Sequence, residues 1–181
     1  MKIVIATPLY PPETADSAVY IKRLAGLLND EEYSITIVTY ASMPERISGV
    51  NIVTTDKYRP LIIRLLAYTK ILWKAASSAD IIYAENGASI ELPVFIISLF
   101  TKTPIIFHIG DKAAYEYAQK NILLKYIQKL ALGRAKKIIE ETPLKKPEIL
   151  PFQEESSEEK EAYATSWSKH LNLLNESFKN V

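Results

Sequence analysis

Three polar segments of the chain follow apolar runs and could bind a ligand or move a proton. His108 ends one such run, where a histidine can bond a hydroxyl group or shuttle a proton. Glu85 follows another run, and its carboxylate could accept hydroxyl hydrogen bonds or act as a base. Each has a structural alternative: a lone histidine is more often a satisfied structural residue, and Glu85 could serve the dipole of the next helix.

Six short runs rich in branched apolar residues predict β-strands, at 2–7, 34–40, 51–54, 80–84, 104–109 and 136–141. Runs without polar alternation are typical of strands that are covered on both faces. Helical patterns separate most of these strands. The first helix begins where Asp16 or Ser17 could cap it, and the second has Pro60 in its first turn. Two further helices are predicted at 87–101 and 112–132. This order predicts an α/β fold with a doubly wound, mainly parallel, Rossmann-like sheet.

The helical periods also indicate which side chains cover the sheet. In the first helix, the residues that share one face are Ile21, Leu24, Ala25 and Leu28. In the second helix, the residues that follow the period are Ile62, Leu65, Leu66, Thr69, Leu72, Trp73 and Ala76. We interpret both stripes as core.

The three polar segments should meet at one edge of this sheet. Ligands of open parallel sheets bind at the carboxyl ends of the strands, where the strand order reverses, here between the first and fourth strands. The loops at 8–17, 85–89 and 109–112 would converge there. The first loop feeds a helix N-terminus, which attracts phosphate or carboxylate, but it has no glycine and no dinucleotide or Walker pattern. It could instead be a rigid connector, and Asp111 could simply cap the helix after it.

The second helix is strongly basic. Lys57, Arg59, Arg64, Lys70 and Lys74 occur with no acidic residue between positions 57 and 79. Mixed with apolar and aromatic residues, these cations could form a membrane-surface face. The alternative, which we favour, is a helix that packs on the sheet and has a solvated basic side.

Composition limits the classes of function. With 181 residues and no cysteine, the chain suits one compact domain and excludes disulfide scaffolds, thiolate zinc sites and cysteine nucleophiles. The net charge of +1 gives no indication, over the whole chain, of binding to nucleic acid. No segment at the N-terminus is typical of a signal peptide, and the longest apolar run, at 92–100, is about half a membrane span. We therefore expect a soluble cytoplasmic protein.

The C-terminal part changes in character from residue 142. Pro143, Pro147 and Pro151 forbid regular structure up to about residue 157, and an acidic stretch follows that includes Glu154 and Glu155. Ser156 and Glu159 form a capping box for a last helix. Its apolar stripe, Trp167, Leu171, Leu174 and Phe178, is predicted to pack back on the domain, with His170 on the surface.

Several segments taken together carry a family resemblance. They are MKIVIATPLYPPE at 1–13, SAVYIKRLA at 17–25, ITIVTY at 35–40, ADIIYA at 79–84, FHIGD at 107–111 with Tyr115-Glu116, and RAKKII at 134–139. They resemble the N-terminal domain of GT-B-type glycosyltransferases of the large retaining family 4. The resemblance covers about residues 1–152, and the segment SWSKH at 166–170 looks like the family's helix that returns from the C-terminal domain.

The resemblance implies an acceptor-side domain at 1–152, followed at 153–181 by an acidic connector and a crossover-type helix. The C-terminal domain that holds most of the nucleotide-sugar would be missing. The complete reaction would transfer a sugar from a nucleotide-sugar to a hydroxyl acceptor, with no cofactor or obligatory metal, and would need a second domain, a partner chain or self-association.

The resemblance also implies roles for the polar segments. His108 matches the family position near the transferred sugar, and Gly110 and Asp111 match the neighbouring motif. Glu85 and Asn86 would hold acceptor hydroxyls. The first loop would close the cleft with Tyr10, Glu13, Asp16 and Ser17.

One departure from the family supports an alternative function. Ala15 and Asp16 stand where the family commonly has a Gly-Gly pair that lets the backbone approach donor phosphates. Asp16 puts a negative charge where a diphosphate would lie, which is unfavourable. The alternative is a non-enzymatic binding or scaffolding protein that kept the fold without the chemistry.

Overall fold

A computed structural model describes residues 1–145 and 156–181 of the chain. Among these residues, six parallel strands form one sheet: β1 Lys2–Ala6, β2 Ser34–Thr39, β3 Asn51–Thr54, β4 Ile81–Glu85, β5 Ile105–His108 and β6 Lys137–Ile139. The strand order is β3-β2-β1-β4-β5-β6, so the order reverses between β1 and β4. This order confirms the predicted doubly wound Rossmann-like sheet and its switch point.

The helices are α1 Asp16–Asp30, α2 Leu61–Ala76, α3 Ala88–Ser98, α4 Lys112–Lys120, α5 Ile122–Leu132 and α6 Ser157–Lys179. The prediction of one helix over 112–132 is wrong, because the chain breaks at Asn121. Asn121 is extended, and its side chain accepts hydrogen bonds from the backbone N–H groups of Leu123 and Leu124 at 3.0 and 3.2 Å. Within the described ranges, no helix is both long enough and apolar enough to cross a membrane.

Helix α1 starts without the predicted side-chain cap. Ala15 is the N-cap residue and its side chain accepts no hydrogen bond, so neither Asp16 nor Ser17 is the cap. Asp16 is the first helical residue, where its charge still favours the helix dipole. The predicted apolar face of this helix is confirmed, since Ile21, Leu24, Ala25 and Leu28 are all buried.

The two faces of the sheet receive alternate residues of each strand. One core cluster joins α2 and α3 to the face that carries Val4, Ala6, Ala84 and Phe107. The residues next to them in sequence, Thr7, Glu85 and His108, therefore point to the opposite face. The pleat thus places the polar ends of three strands together on one side of the sheet.

Helix α2 buries only part of the predicted stripe. The prediction of Leu72 and Ala76 as core is confirmed, whereas that of Ile62, Leu66 and Trp73 is wrong because these three are exposed. Tyr68, which was not predicted, is the third buried residue of the helix. The Tyr68 hydroxyl donates a 2.8 Å hydrogen bond to the Val38 carbonyl, which fixes this face against β2. Two apolar stripes run along the helix, and only one of them covers the sheet.

The described chain divides into two compact units, Met1–Ile139 and Glu140–Val181. The second unit contains α6, whose capping box between Ser156 and Glu159 is confirmed. Trp167, Leu174 and Phe178 of the predicted stripe are buried, and Leu171 is half-buried.

Two predictions for the C-terminal part have different outcomes. The prediction of His170 as a surface residue is wrong, because it is buried. It lies three residues after Trp167 and four before Leu174, so it shares their helix face. The predicted connector residues Pro147, Pro151, Glu154 and Glu155 lie outside the described residues, and the domain boundary at residue 152 stays a prediction.

Candidate functional site

Three polar side chains form a row across the carboxyl ends of adjacent strands. The register pairs Ala6 of β1 with Ala84 of β4, and Glu85 of β4 with His108 of β5. Thr7, the residue after β1, thereby lies beside Glu85. We call Thr7, Glu85 and His108 the edge row. It spans the point where the strand order reverses, which is where open parallel sheets bind their ligands.

The members of the edge row contact one another. His108 Nδ1 lies 3.4 Å from Glu85 Oε1, and the Thr7 hydroxyl lies 3.1 Å from Glu85 Oε2. The same hydroxyl lies 2.8 Å from the Leu9 carbonyl, so its single hydrogen can serve only one acceptor well at a time. Glu85 is 2% exposed and His108 0% exposed. The row is therefore a buried polar cluster rather than an open set of side chains.

Burial raises the pKa of Glu85, and the hydrogen bonds from His108 and Thr7 offset this only in part. A carboxyl group with a raised pKa holds a proton at a higher pH than an exposed glutamate does. The raised pKa thus follows from the position of Glu85 at the buried end of β4.

Two tyrosine rings cover His108. The Tyr20 ring stacks on it with a centroid distance of 4.7 Å, and the Tyr83 ring lies 5.9 Å away. The two tyrosine hydroxyls are 2.7 Å apart and share a hydrogen bond. A ligand that is to touch the imidazole ring must therefore displace Tyr20.

Sequence reasoning missed Thr7 as a neighbour of Glu85, and it missed Tyr20 and Tyr83 as neighbours of His108. A signal existed for two of them. Tyr83 precedes Glu85 by two residues in a strand and so shares its face, and Thr7 ends the first strand at the same edge. The sequence gives no comparable signal for Tyr20, because its position in the helical pattern indicates only that it lies on the buried side of α1.

Gly110 allows the loop after β5 to pass close to the edge row. A Cβ atom at this position would lie 2.8 Å from Cε1 and 3.1 Å from Nδ1 of His108, and 3.6 Å from Glu85 Oε1. The structure therefore brings three predicted site residues together, namely Gly110, His108 and Glu85. Gly110 contributes by its lack of a side chain.

Asn86 and Asp111 connect the loops that follow β4 and β5. The Asn86 amide donates to the Asp111 carbonyl at 2.7 Å and accepts from the Asp111 N–H at 3.0 Å. The Asp111 carboxylate accepts from the N–H of Ala114 at 2.9 Å and caps α4, as the sequence predicts. Both side chains thus already bond to the backbone of the site.

The four predicted residues of the first loop have separate surroundings. Tyr10 is buried, its hydroxyl has no hydrogen-bond partner among the described residues, and burial raises its pKa to about 12. Glu13 accepts a 2.8 Å hydrogen bond from Lys57, which joins the loop to the segment before α2. Asp16 is exposed and Ser17 is half-buried at the start of α1.

The described parts of the chain include two grooves that no predicted site residue lines. One, of 590 Å³, lies within the second unit and is lined by residues of 141–144 and 158–170. The other, of 430 Å³, is lined by Phe95, Tyr126, Lys129, Leu130, Gly133 and Arg134. Within the described ranges, no group of three His, Asp or Glu residues could hold a metal ion.

Comparison with known proteins gives structural neighbours only. No protein-family model matches the chain, and no curated protein matches its sequence. Sucrose-phosphate synthase from Thermosynechococcus elongatus is similar with a TM-score of 0.59 and 11% identity, covering 76% of this chain and 41% of its own. HepE from Anabaena, solved in complex with UDP-glucose, has a TM-score of 0.56 and 17% identity, covering 92% and 40%.

A third neighbour belongs to another class of enzyme. It is a protein from Listeria monocytogenes described as a UDP-N-acetylglucosamine 2-epimerase, with a TM-score of 0.53 and 12% identity, covering 76% and 37%. The chain thus spans about two fifths of the length of each of these neighbours. At such low identities the likeness shows the Rossmann-like fold, whereas reaction and substrate must be argued from the site.

Proposed function

We propose that this chain is the acceptor-side part of an enzyme that transfers a sugar from a nucleotide-sugar to a hydroxyl acceptor. The observation that carries the proposal is the edge row of Thr7, Glu85 and His108 at the switch point of the sheet. The fold likeness to sucrose-phosphate synthase and to HepE bound to UDP-glucose supports it. The remaining donor-binding groups would come from a further domain or chain.

The reaction requires an oriented hydroxyl and a place for its proton. The acceptor oxygen bonds to the anomeric carbon while the bond from that carbon to the diphosphate breaks. The nucleoside diphosphate leaves with the electron pair, and one of its oxygens takes up the proton of the acceptor hydroxyl. In our proposal Glu85 and Asn86 hold the acceptor hydroxyls and His108 faces the transferred sugar. This requires the Tyr20 ring to move and Asn86 to exchange its bonds to Asp111.

The first loop supplies the remaining contacts. Tyr10, Glu13, Asp16 and Ser17 would close over the bound ligands, and the bond between Glu13 and Lys57 would anchor the loop. The Tyr10 hydroxyl, buried and without a hydrogen-bond partner in the described part of the chain, is a donor that a ligand oxygen could satisfy.

Calorimetric titration tests the proposal. The chain is titrated with nucleotides, nucleotide-sugars and sugar acceptors, and the parent is compared with Glu85→Gln. Glu91→Gln is the matched control, because Glu91 is also buried and burial also raises its pKa, but it bonds to Gly87 and Gln128 instead. We expect sugar or nucleotide-sugar binding that weakens only in Glu85→Gln. The absence of binding by any ligand at millimolar concentration contradicts the proposal.

A second candidate is a binding or scaffolding protein without catalysis. The complete burial of His108 beneath Tyr20 favours it, since the imidazole then serves the core. This candidate predicts that Thr7→Val and Glu85→Gln change the stability of the protein while no sugar ligand binds at all. The same titrations, combined with urea denaturation of each variant, distinguish the two candidates.

A further inference from the structure

We propose that the exposed side of α2 docks on an anionic lipid surface. The residues of this surface are Ile62, Ile63, Leu66, Lys70, Trp73 and Lys74, and we call it the outer α2 face. The proposal is independent of the proposed function, because no residue of this face belongs to the candidate site.

An apolar stripe runs along the outer α2 face. Ile62, Leu66 and Trp73 are spaced by four and seven residues, which places them on one side of the helix. They are 72%, 63% and 52% exposed. The core stripe of the same helix, Tyr68 and Leu72, is buried, so the exposed stripe is not needed to cover the sheet. A row of exposed apolar side chains of this kind marks an interaction surface.

Two lysines lie beside the apolar stripe. Lys70 and Lys74 are spaced by four residues, and they lie about a quarter of a turn from the stripe. Lys70 and Lys74 are exposed, and neither has an ion-pair partner in the described part of the chain. No Asp or Glu occurs between positions 57 and 79. The face therefore combines apolar area with uncompensated positive charge.

Charge complementarity favours a lipid surface over a second copy of the chain. Two copies that met through this face would bring together two pairs of lysines with no Asp or Glu of α2 to pair with them, which is unfavourable. Anionic headgroups attract the lysines, while the boundary with the acyl chains accepts Ile62, Leu66 and the amphipathic indole of Trp73. A helix with a basic line beside an apolar stripe is typical of docking in the plane of a membrane.

Vesicle partition tests the proposal. The chain is sedimented with vesicles of phosphatidylcholine alone and of equimolar phosphatidylcholine and phosphatidylglycerol at low salt. We expect binding to the anionic vesicles only. Lys70→Glu with Lys74→Glu should lower the partition coefficient by more than about tenfold, since each basic residue near an anionic surface contributes several-fold. Lys160→Glu with Lys169→Glu, an equal charge change at exposed positions of α6, should show no such specific loss.

Tryptophan fluorescence identifies the face that touches lipid. The chain has two tryptophans, and Trp167 is buried while Trp73 is exposed. Spin-labelled lipid should quench the fluorescence of the parent and not that of Trp73→Phe. Three outcomes overturn the proposal: no partition to anionic vesicles, equal losses in the α2 and α6 variants, or self-association that Ile62→Ser with Leu66→Ser abolishes in the absence of lipid. Circular dichroism must show that each variant keeps the fold of the parent.

Discussion

The edge row and the outer α2 face are built in opposite ways. Thr7, Glu85 and His108 are polar, yet they are buried and bond to one another. Leu66 and Trp73 are apolar, yet they are exposed and leave the covering of the sheet to Tyr68 and Leu72. The type of a side chain therefore does not decide whether it is accessible. Accessibility depends on the position of the residue in its strand register or on its helix face. We therefore expect the effect of a substitution on stability to depend on whether the side chain is buried, regardless of whether it is polar or apolar.

Two leucines of α2 should differ most in their contribution to stability. Leu72→Ala removes a fully buried side chain and should lower the free energy of unfolding by about 2 to 5 kcal/mol. Leu66→Ala, on the same helix but exposed, should change it by less than about 0.5 kcal/mol. Urea denaturation measures both values, and equal losses would show that the outer α2 face is covered in the folded protein.

Alanine substitution of two glycines tests how tightly the edge row is packed. Gly110→Ala should lower the free energy of unfolding by about 1 to 3 kcal/mol, because its Cβ would press on the His108 ring, which Tyr20 holds in place. Gly26→Ala is the control: it lies inside α1 with no atom within 4 Å of a new Cβ, and it should gain about 0.5 to 1 kcal/mol. Thermal melts compare the two variants, and a neutral Gly110→Ala would mean that the edge row is loosely packed.

The pH dependence of stability tests the burial of Glu85. Because its folded-state pKa is raised, the folded state binds the proton more tightly than the unfolded state, and stability falls as the pH rises from the ordinary glutamate pKa through the raised one. Glu85→Gln should lack this part of the slope. The pKa of Glu91 is also raised, but Glu91 is present in both proteins, so its contribution cancels in the difference between their stability curves. Parallel stability curves from pH 4 to 8 for parent and variant would contradict the burial of Glu85.

Much of the fold was predictable because the strands are short, apolar and bounded by turn residues. The continuous apolarity of β1 and β4 indicated a sheet covered on both faces, and their sequence order indicated the switch point. The break at Asn121 was missed because the prediction treats the apolar residues at 112–132 as one periodic run, whereas the Asn121 side chain caps a second helix. Part of the buried stripe of α2 was predicted incorrectly for another reason. The helix carries two apolar stripes, and the tertiary contact of Tyr68 with Val38 determines which of them is buried.

The location of the candidate site was predictable from the sequence, whereas several of the contacts between its side chains were not. The rule that parallel strands end at one edge placed Glu85 near His108, and the register pairs them directly. The stacking of Tyr20 on His108 depends on how α1 packs across the strands, which no local pattern encodes. The use of Asn86 to bond the Asp111 backbone likewise depends on the distance between two loops.

The most direct measurement is an NMR titration of the amide-nitrogen-labelled chain with sugar acceptors and, separately, with UDP-glucose, with its five glycine signals as reporters. Gly87 and Gly110 lie at the carboxyl ends of β4 and β5, whereas Gly26 lies within α1 and Gly133 follows α5. We predict ligand-dependent shifts at Gly87 and Gly110 and none at Gly26 or Gly133. Shifts centred on Gly133, or the absence of any shift with either kind of ligand at millimolar concentration, would contradict a sugar site at the carboxyl edge of the sheet.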